Sequence, residues 1–211
     1  YHLDSIKKMN VNQVFLGEDK DIIHCFTDKI VGTDIFLKFP SVGATQNIIL
    51  AAVLSEGVTR IFNAAREPEV VELCNFLLEA GARICGKGTA FIEIEGVKQL
   101  HDVEFTLSSD RIVTGTYMAA VAAAGGNVIL HDVPIRHIES VIRVLDKVGC
   151  NINPKGNSLK ISCDKRPNPY ELLKTKPYPG FPTDMQSQLM TVLSIADGES
   201  TIVEKIFDSR Y

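Results

Sequence analysis

A chain of 211 residues with 45% hydrophobic and 23% charged residues is long enough to bury one or two apolar cores and has the balance of an α/β protein. Its net charge of −4, with no run of lysines or arginines interleaved with aromatics, argues against a nucleic-acid partner, and no apolar stretch reaches the roughly 18 residues of a membrane span. Five widely spread cysteines without metal-type or redox-pair spacing fit a cytoplasmic protein that keeps most of them as buried thiols. In chain order, Ile6–Asn12 reads as the end of a helix, and Pro40–Asn47 leads into a helix over Ile48–Ser55 that stops at Gly57. A β-branched strand follows at Thr59–Phe62, and a helix at Glu69–Glu79 carries Val70, Leu73, Cys74 and Leu77 on one face. A hairpin turn is expected at Gly86–Gly88.

The second half runs the same way. The small-residue run Ala119–Gly126 precedes a strand at Asn127–Leu130, and a helix at His137–Lys147 has the apolar face Ile138, Val141, Ile142, Val144 and Leu145. A turn at Pro154–Asn157, a proline-rich stretch at Pro177–Pro182, a helix from Met185 and a strand at Thr201–Val203 complete the chain.

The halves are copies of one pattern. Leu77–Ile84 and Leu145–Ile152 match at a spacing of 68 residues, and the glycines Gly57, Gly126 and Gly198 that end the small-residue runs lie 69 and 72 residues apart. Each period reads as a βαβαββ unit, too long for a solenoid repeat and in need of neighbours to bury its helices. The chain starts and stops inside such units and so reads as cut from a longer protein. On that reading an open strand edge near Tyr211 is expected to make the fragment self-associate.

Two segments carry the candidate chemistry. Pro177-Tyr178-Pro179-Gly180-Phe181-Pro182 suppresses helix before Thr183 and Asp184, which places an acid and a hydroxyl where a hydroxyl-bearing ligand or an anion is held, or where a helix is simply capped. Pro40-Ser41-Val42-Gly43-Ala44-Thr45 brings small residues to a helix N-terminus, as a phosphate site or as a Ser41 or Thr45 cap. Arg66, Arg111 and Arg210 stand at loop-to-element junctions beside acids, suited either to a small anionic substrate or to local ion pairs. The histidines are scattered, and no metal site is read.

Ser41-Val42-Gly43-Ala44-Thr45, Asn63-Ala64-Ala65-Arg66-Glu67-Pro68-Glu69, Ile94-Glu95-Gly96-Val97, Asp110-Arg111-Ile112 with Gly115-Thr116, and Phe181-Pro182-Thr183-Asp184-Met185-Gln186 stand in the order seen in the UDP-N-acetylglucosamine 1-carboxyvinyltransferase family, which this chain resembles over nearly its whole length. The resemblance implies a two-domain enzyme, each domain an inside-out α/β barrel of three βαβαββ units, with the active site in the cleft between them. It places residues 1–109 at the end of one domain and 110–211 at the start of the second, with a hinge near 107–112. The implied reaction transfers enolpyruvyl from phosphoenolpyruvate to the 3-hydroxyl of UDP-N-acetylglucosamine, with no metal or organic cofactor.

Carried over by motif, Asp184 resembles the base that takes the sugar hydroxyl proton, Thr183 contacts the sugar beside it, and the backbone of Ile206 meets the N-acetyl group. Arg210 matches an arginine on the phosphoenolpyruvate side. Ser41, Val42 and Gly43 match the segment along the UDP moiety, preceded by Phe39 and Pro40, and Glu67, Glu69 and Arg111 match hinge and cleft residues. Two features depart from the family pattern. Phe39 stands where some members have lysine, with Lys38 one step earlier, and the N-terminal Lys-Asn pair and the loop bearing a catalytic Cys or Asp lie upstream of Tyr1, so this chain alone is expected to be inactive. The alternatives are a non-catalytic nucleotide-sugar-binding module and the sister enzyme 5-enolpyruvylshikimate 3-phosphate synthase, whose second phosphate monoester calls for more cations around Asp184.

Overall fold

The computed structural model describes residues 1–17, 19 and 21–208, and the chain forms two compact units, Tyr1–Thr106 and Leu107 onward. The expected strand edge at Tyr211 and the candidate Arg210 lie outside the described residues.

In the first unit, α1 (His2–Lys8) leads to the antiparallel hairpin β1 (Asn12–Leu16) and β2 (Ile22–Phe26). One full repeat follows: β3 (Asp34–Phe36), α2 (Val42–Ala52), β4 (Val58–Phe62), α3 (Pro68–Glu79), β5 (Arg83–Cys85) and β6 (Phe91–Glu95). The strands pair in the order β3-β4-β6-β5, with β3 parallel to β4 and the other neighbours antiparallel. The βαβαββ element order expected from the sequence is met here. The helix expected at Ile48 begins six residues earlier, at Val42, because the Ser41 side chain accepts the Ala44 N–H and so starts the helix at once.

The second unit has α4 (Arg111–Ala124), β7 (Gly126–Leu130), a 3₁₀ turn (Ile135–His137), α5 (Glu139–Lys147), β8 (Asn151–Lys155) and β9 (Ser158–Cys163), with strand order β7-β9-β8. This repeats the order and pairing of α2-β4-α3-β5-β6. Then β10 (Leu172–Lys174), a 3₁₀ turn (Thr183–Met185), α6 (Gln186–Ser194) and β11 (Thr201–Val203) repeat β3-α2-β4, again as a parallel strand pair. The four sheets are open rows of strands, and among the described residues none closes into a barrel.

One stop device recurs after α1, α3 and α5. Asn10, Gly81 and Gly149 adopt φ of 68°, 96° and 104°, and the next residue's N–H reaches back to a carbonyl of the last helical turn: Val11 to Ile6, Ala82 to Leu77 and Cys150 to Leu145. A left-handed residue ends a helix this way because it turns the chain while satisfying an orphan carbonyl; glycine enters that region without a Cβ penalty, and asparagine is the side chain that tolerates it best. The device aims each following strand back along its helix.

Each unit has its own core. In the first, Ile35, Ile61, Ile92 and Ile94 of the sheet face Ile48 and Ile49 of α2 and Val70, Cys74 and Leu77 of α3. The opposite sheet face carries a ladder of Phe36, Phe62 and Phe91, with Phe36 and Phe62 stacked at 4.3 Å. Beside it Arg60 bonds Glu93 at 2.7 Å and lies 3.5 Å from Asp34. In the second unit α4 is central: Met118, Ala119 and Ala122 share a core with Val141 and Leu145 of α5, Leu189 and Val192 of α6, and Leu159 and Ile161 of β9.

Two further expectations change. Pro154 and Lys155 belong to β8 and the turn is Gly156-Asn157; Pro154 is tolerated because β8 is an edge strand. The cysteines are also not mostly buried thiols. Pairing of Asn151 with Ser162 sets Cys150 opposite Cys163 and the two form a disulfide, Cys25 and Cys85 are exposed, and only Cys74 is a buried free thiol. Chain separation hid this pair, because it is the β8–β9 register that joins them.

Leu145 is fully buried in the α4–α5–α6 core, so Leu145→Ala is expected to cost about 2–5 kcal/mol of stability, read by urea unfolding. Burial pushes the Cys74 thiol up to about 11, against a smaller opposite pull from Lys87, so very little thiolate exists at neutral pH. Cys25 and Cys85 should therefore label in native protein, and Cys74 only after unfolding, as followed by mass mapping of a thiol reagent.

Candidate active site

The first group of candidates gathers at the start of α2. Pro40 fixes the approach, Ser41 is the extended N-cap, and Val42 and Gly43 form the first turn, whose amides have no intrahelical acceptor. Thr45 joins this turn to the next loop: its hydroxyl donates to the Ser41 carbonyl at 2.8 Å and accepts the Ala65 N–H at 3.0 Å. Asn63, at φ 60°, donates its side-chain amide to the Leu37 carbonyl at 2.9 Å and completes the tie. The segment Phe39–Gly43 and the loop 63–67 are thus one construction. His2 closes over it, since a Cβ on Gly43 would sit 2.7 Å from the imidazole Cε1, and the ring Nδ1 lies 2.7 Å from the Asn47 amide.

Glu67 precedes Pro68 at the start of α3, is 9% exposed, and accepts the Arg66 N–H on Oε2 at 3.0 Å. Glu69 occupies the first turn of α3, where a carboxylate favours the helix dipole. Arg66 reaches across to the β5–β6 turn and donates to the Gly88 carbonyl at 3.3 Å.

The second group lies in the other unit. Asp110 caps α4, its Oδ1 accepting the Ile112 N–H at 2.6 Å and the Val113 N–H at 3.1 Å. Arg111, 7% exposed, places its guanidinium 5.9 Å from the Tyr178 ring centre. The proline-rich run is thereby held against the start of α4, a cation over an aromatic face. The run bends between Pro177 and Gly180, whose N–H donates to the Pro177 carbonyl at 2.8 Å, and Tyr178–Pro179 is cis. It emerges at Phe181, whose carbonyl accepts the Lys176 N–H at 3.0 Å. The exit is the 3₁₀ turn Thr183–Met185, on which Asp184 is exposed while Met185 and Gln186 are buried.

Thr183 does not cap the helix. Its hydroxyl donates to Glu204 Oε2 at 2.8 Å. Glu204, directly after β11, also accepts on Oε1 from the Thr175 hydroxyl at 2.8 Å and from the backbone amides of Ile206 at 2.6 Å and Phe207 at 3.1 Å. Burial pushes this carboxyl up, but the hydrogen bonds from Ile206, Thr183, Thr175 and Phe207 together outweigh it and hold the group below its ordinary range. The structure therefore links Thr183, next to Asp184 on the turn, with Ile206 through a residue that the sequence pattern does not single out. A glutamate after a strand has no short-range turn signature of the kind asparagine or aspartate carries, so only the fold reveals it. Among the described residues, no three His, Cys, Asp or Glu side chains are grouped to hold a metal.

Among solved structures, the fold is shared with the enolpyruvyl transferase NikO from Streptomyces tendae, at TM-score 0.85 and 20% identity over 99% of this chain and 52% of that one. It is shared less closely with EPSP synthase from Acinetobacter baumannii, at TM-score 0.60 and 18% identity over 95% of this chain and 47% of that one. The chain belongs to the EPSP synthase (3-phosphoshikimate 1-carboxyvinyltransferase) family, whose model matches residues 1–211. It is 47% identical over 210 residues to UDP-N-acetylglucosamine 1-carboxyvinyltransferase 2 of Caldanaerobacter subterraneus subsp. tengcongensis, covering 100% of this chain and 50% of the relative. It is 45% identical over 211 residues to UDP-N-acetylglucosamine 1-carboxyvinyltransferase of Desulfovibrio desulfuricans, with the same coverage of 100% and 50%. The chain spans about half the length of the curated relatives it matches.

A carboxyl held low in the fold stabilises it above the ordinary glutamate value of 4.5, and that contribution is lost as pH falls through the lower folded value. The melting temperature of the native protein should therefore exceed that of Glu204→Gln most above the ordinary glutamate value of 4.5, with the gap closing as the pH falls below it in a pH series of thermal scans.

Proposed function

We propose that the full-length protein containing this chain transfers enolpyruvyl from phosphoenolpyruvate to the 3-hydroxyl of UDP-N-acetylglucosamine and releases phosphate, the first committed step of peptidoglycan synthesis, in the cytoplasm. The observation that carries this reading is the whole-chain similarity at 47% identity to a UDP-N-acetylglucosamine 1-carboxyvinyltransferase, with Asp184 of Phe181-Pro182-Thr183-Asp184-Met185-Gln186 exposed on its turn. The residues are assigned by that similarity. Phe39, Pro40, Ser41, Val42 and Gly43 lie along the UDP moiety, with first-turn amides of α2 suited to its phosphates. Thr183 and the backbone of Ile206 face the sugar and its N-acetyl group, and Arg210 faces phosphoenolpyruvate. Glu67, Glu69 and Arg111 serve as hinge and cleft residues, with a domain boundary near 107–112. The βαβαββ units belong to inside-out barrels completed by the rest of the protein.

The reaction adds and then eliminates. A proton adds to the methylene carbon of phosphoenolpyruvate, the sugar 3-oxygen bonds to the adjacent carbon, and Asp184 takes the hydroxyl proton as that bond forms. The tetrahedral ketal then loses phosphate and a methyl proton to regenerate the enol. Cationic side chains stabilise the phosphate and carboxylate charges throughout. The reading of a binding module without catalysis predicts nucleotide-sugar binding and no phosphate release, while the sister-enzyme reading predicts turnover with shikimate 3-phosphate.

Phosphate release by the full-length protein from phosphoenolpyruvate and UDP-N-acetylglucosamine is the test. Asp184→Ala is expected to lower kcat by at least about 100-fold, the least that loss of a general base costs. A variant that keeps its rate overturns the assignment of Asp184, and a native protein that uses only shikimate 3-phosphate overturns the substrate.

A further inference from the structure

Glu204 joins three separate pieces of chain. Thr175 ends the run after β10 and is fully buried, Thr183 opens the 3₁₀ turn, and Ile206 and Phe207 form the segment after β11. Thr175 is itself pinned, donating its backbone N–H to the Val203 carbonyl at 3.1 Å and accepting the Lys205 N–H on its hydroxyl at 2.8 Å. One carboxylate oxygen serves Thr183 and the other serves Thr175, Ile206 and Phe207. The two oxygens of a carboxylate are fixed relative to each other, so the Thr183 hydroxyl and the Ile206 backbone are fixed as well.

We propose that Glu204 is a positioning residue for the sugar end of the nucleotide sugar: it sets the spacing between Thr183 and the Ile206 backbone without touching the ligand. This rests on the UDP-N-acetylglucosamine reading above. The role needs an acceptor on both oxygens. Glutamine keeps the size and one oxygen but presents an NH₂ group to Thr183, which cannot accept that hydroxyl's proton.

The experiment is calorimetric binding of UDP-N-acetylglucosamine, and in parallel of UDP, to full-length native protein, E204Q, T175V and T175S. Hydrogen bonds to a charged group are strong enough that losing one in this network should weaken UDP-N-acetylglucosamine binding about tenfold in E204Q. UDP lacks the sugar and should bind E204Q within about twofold of the native protein. T175V removes one donor to the same carboxylate and should shift affinity in the same direction, while T175S keeps the hydroxyl and should restore it. T175V carries the decision if E204Q does not fold. Equal weakening of both ligands marks Glu204 as merely structural and overturns the proposal, as does unchanged binding of both. If the native protein binds UDP but not UDP-N-acetylglucosamine, the substrate reading itself falls and this role falls with it, an outcome distinct from a native protein that binds and variants that bind equally well.

Discussion

The left-handed residue that ends α1, α3 and α5 is the constraint from which the architecture follows. At each site the chain leaves its helix at a fixed angle, with the next amide bonded back to the last turn, and enters a strand that can only return over the helix it has just left. After α3 and α5, whose stops Gly81 and Gly149 lie 68 residues apart, the event leads into the same strand order, β4-β6-β5 and β7-β9-β8. The apolar helix faces then have a sheet to meet, and the cores follow.

Candidate residues are placed by polar groups that serve two loops at once. Thr45 belongs to a helix yet receives the amide of a loop 20 residues away, which couples the α2 N-terminus to the approach to Glu67. Glu204 does the same for the proline-rich exit and the segment after β11. Arg111 supplies the third tie through the face of Tyr178. In the first two cases a buried or half-buried side chain accepts loop amides that strand or helix partners would otherwise take, while Arg111 holds its loop through a ring face.

Periodicity made the α3 and α5 faces legible: Val70, Cys74 and Leu77, and Ile138, Val141, Val144 and Leu145, are buried, while Leu73 and Ile142 at the edges of the two faces are half-buried. The strands at Thr59–Phe62, Asn127–Leu130 and Thr201–Val203 were legible from β-branching, and the motifs around Ser41 and Thr183 from proline and small residues. What escaped depends on long-range register. Cys150 and Cys163 meet only because β8 pairs with β9, and Glu204 meets Thr175 only because β10 and β11 lie side by side. The α2 start escaped for a smaller reason, since a serine cap and a proline look alike whether a helix begins at once or a turn later.

The outer face of the first sheet has a consequence for folding fidelity. Isoleucines alternating inward from β3, β4 and β6 forbid a slip of one residue, which would turn them to water. A slip of two residues would keep that alternation, and in most sheets little resists it. Here a slip in one direction would set Arg60 against Phe36 or Phe91, and in the other it would set Phe62 against Asp34 or Glu93, so either way the ring ladder of Phe36, Phe62 and Phe91 is lost. The sheet is thus coded against even as well as odd misalignment, and the loops at its ends inherit a single permitted alignment.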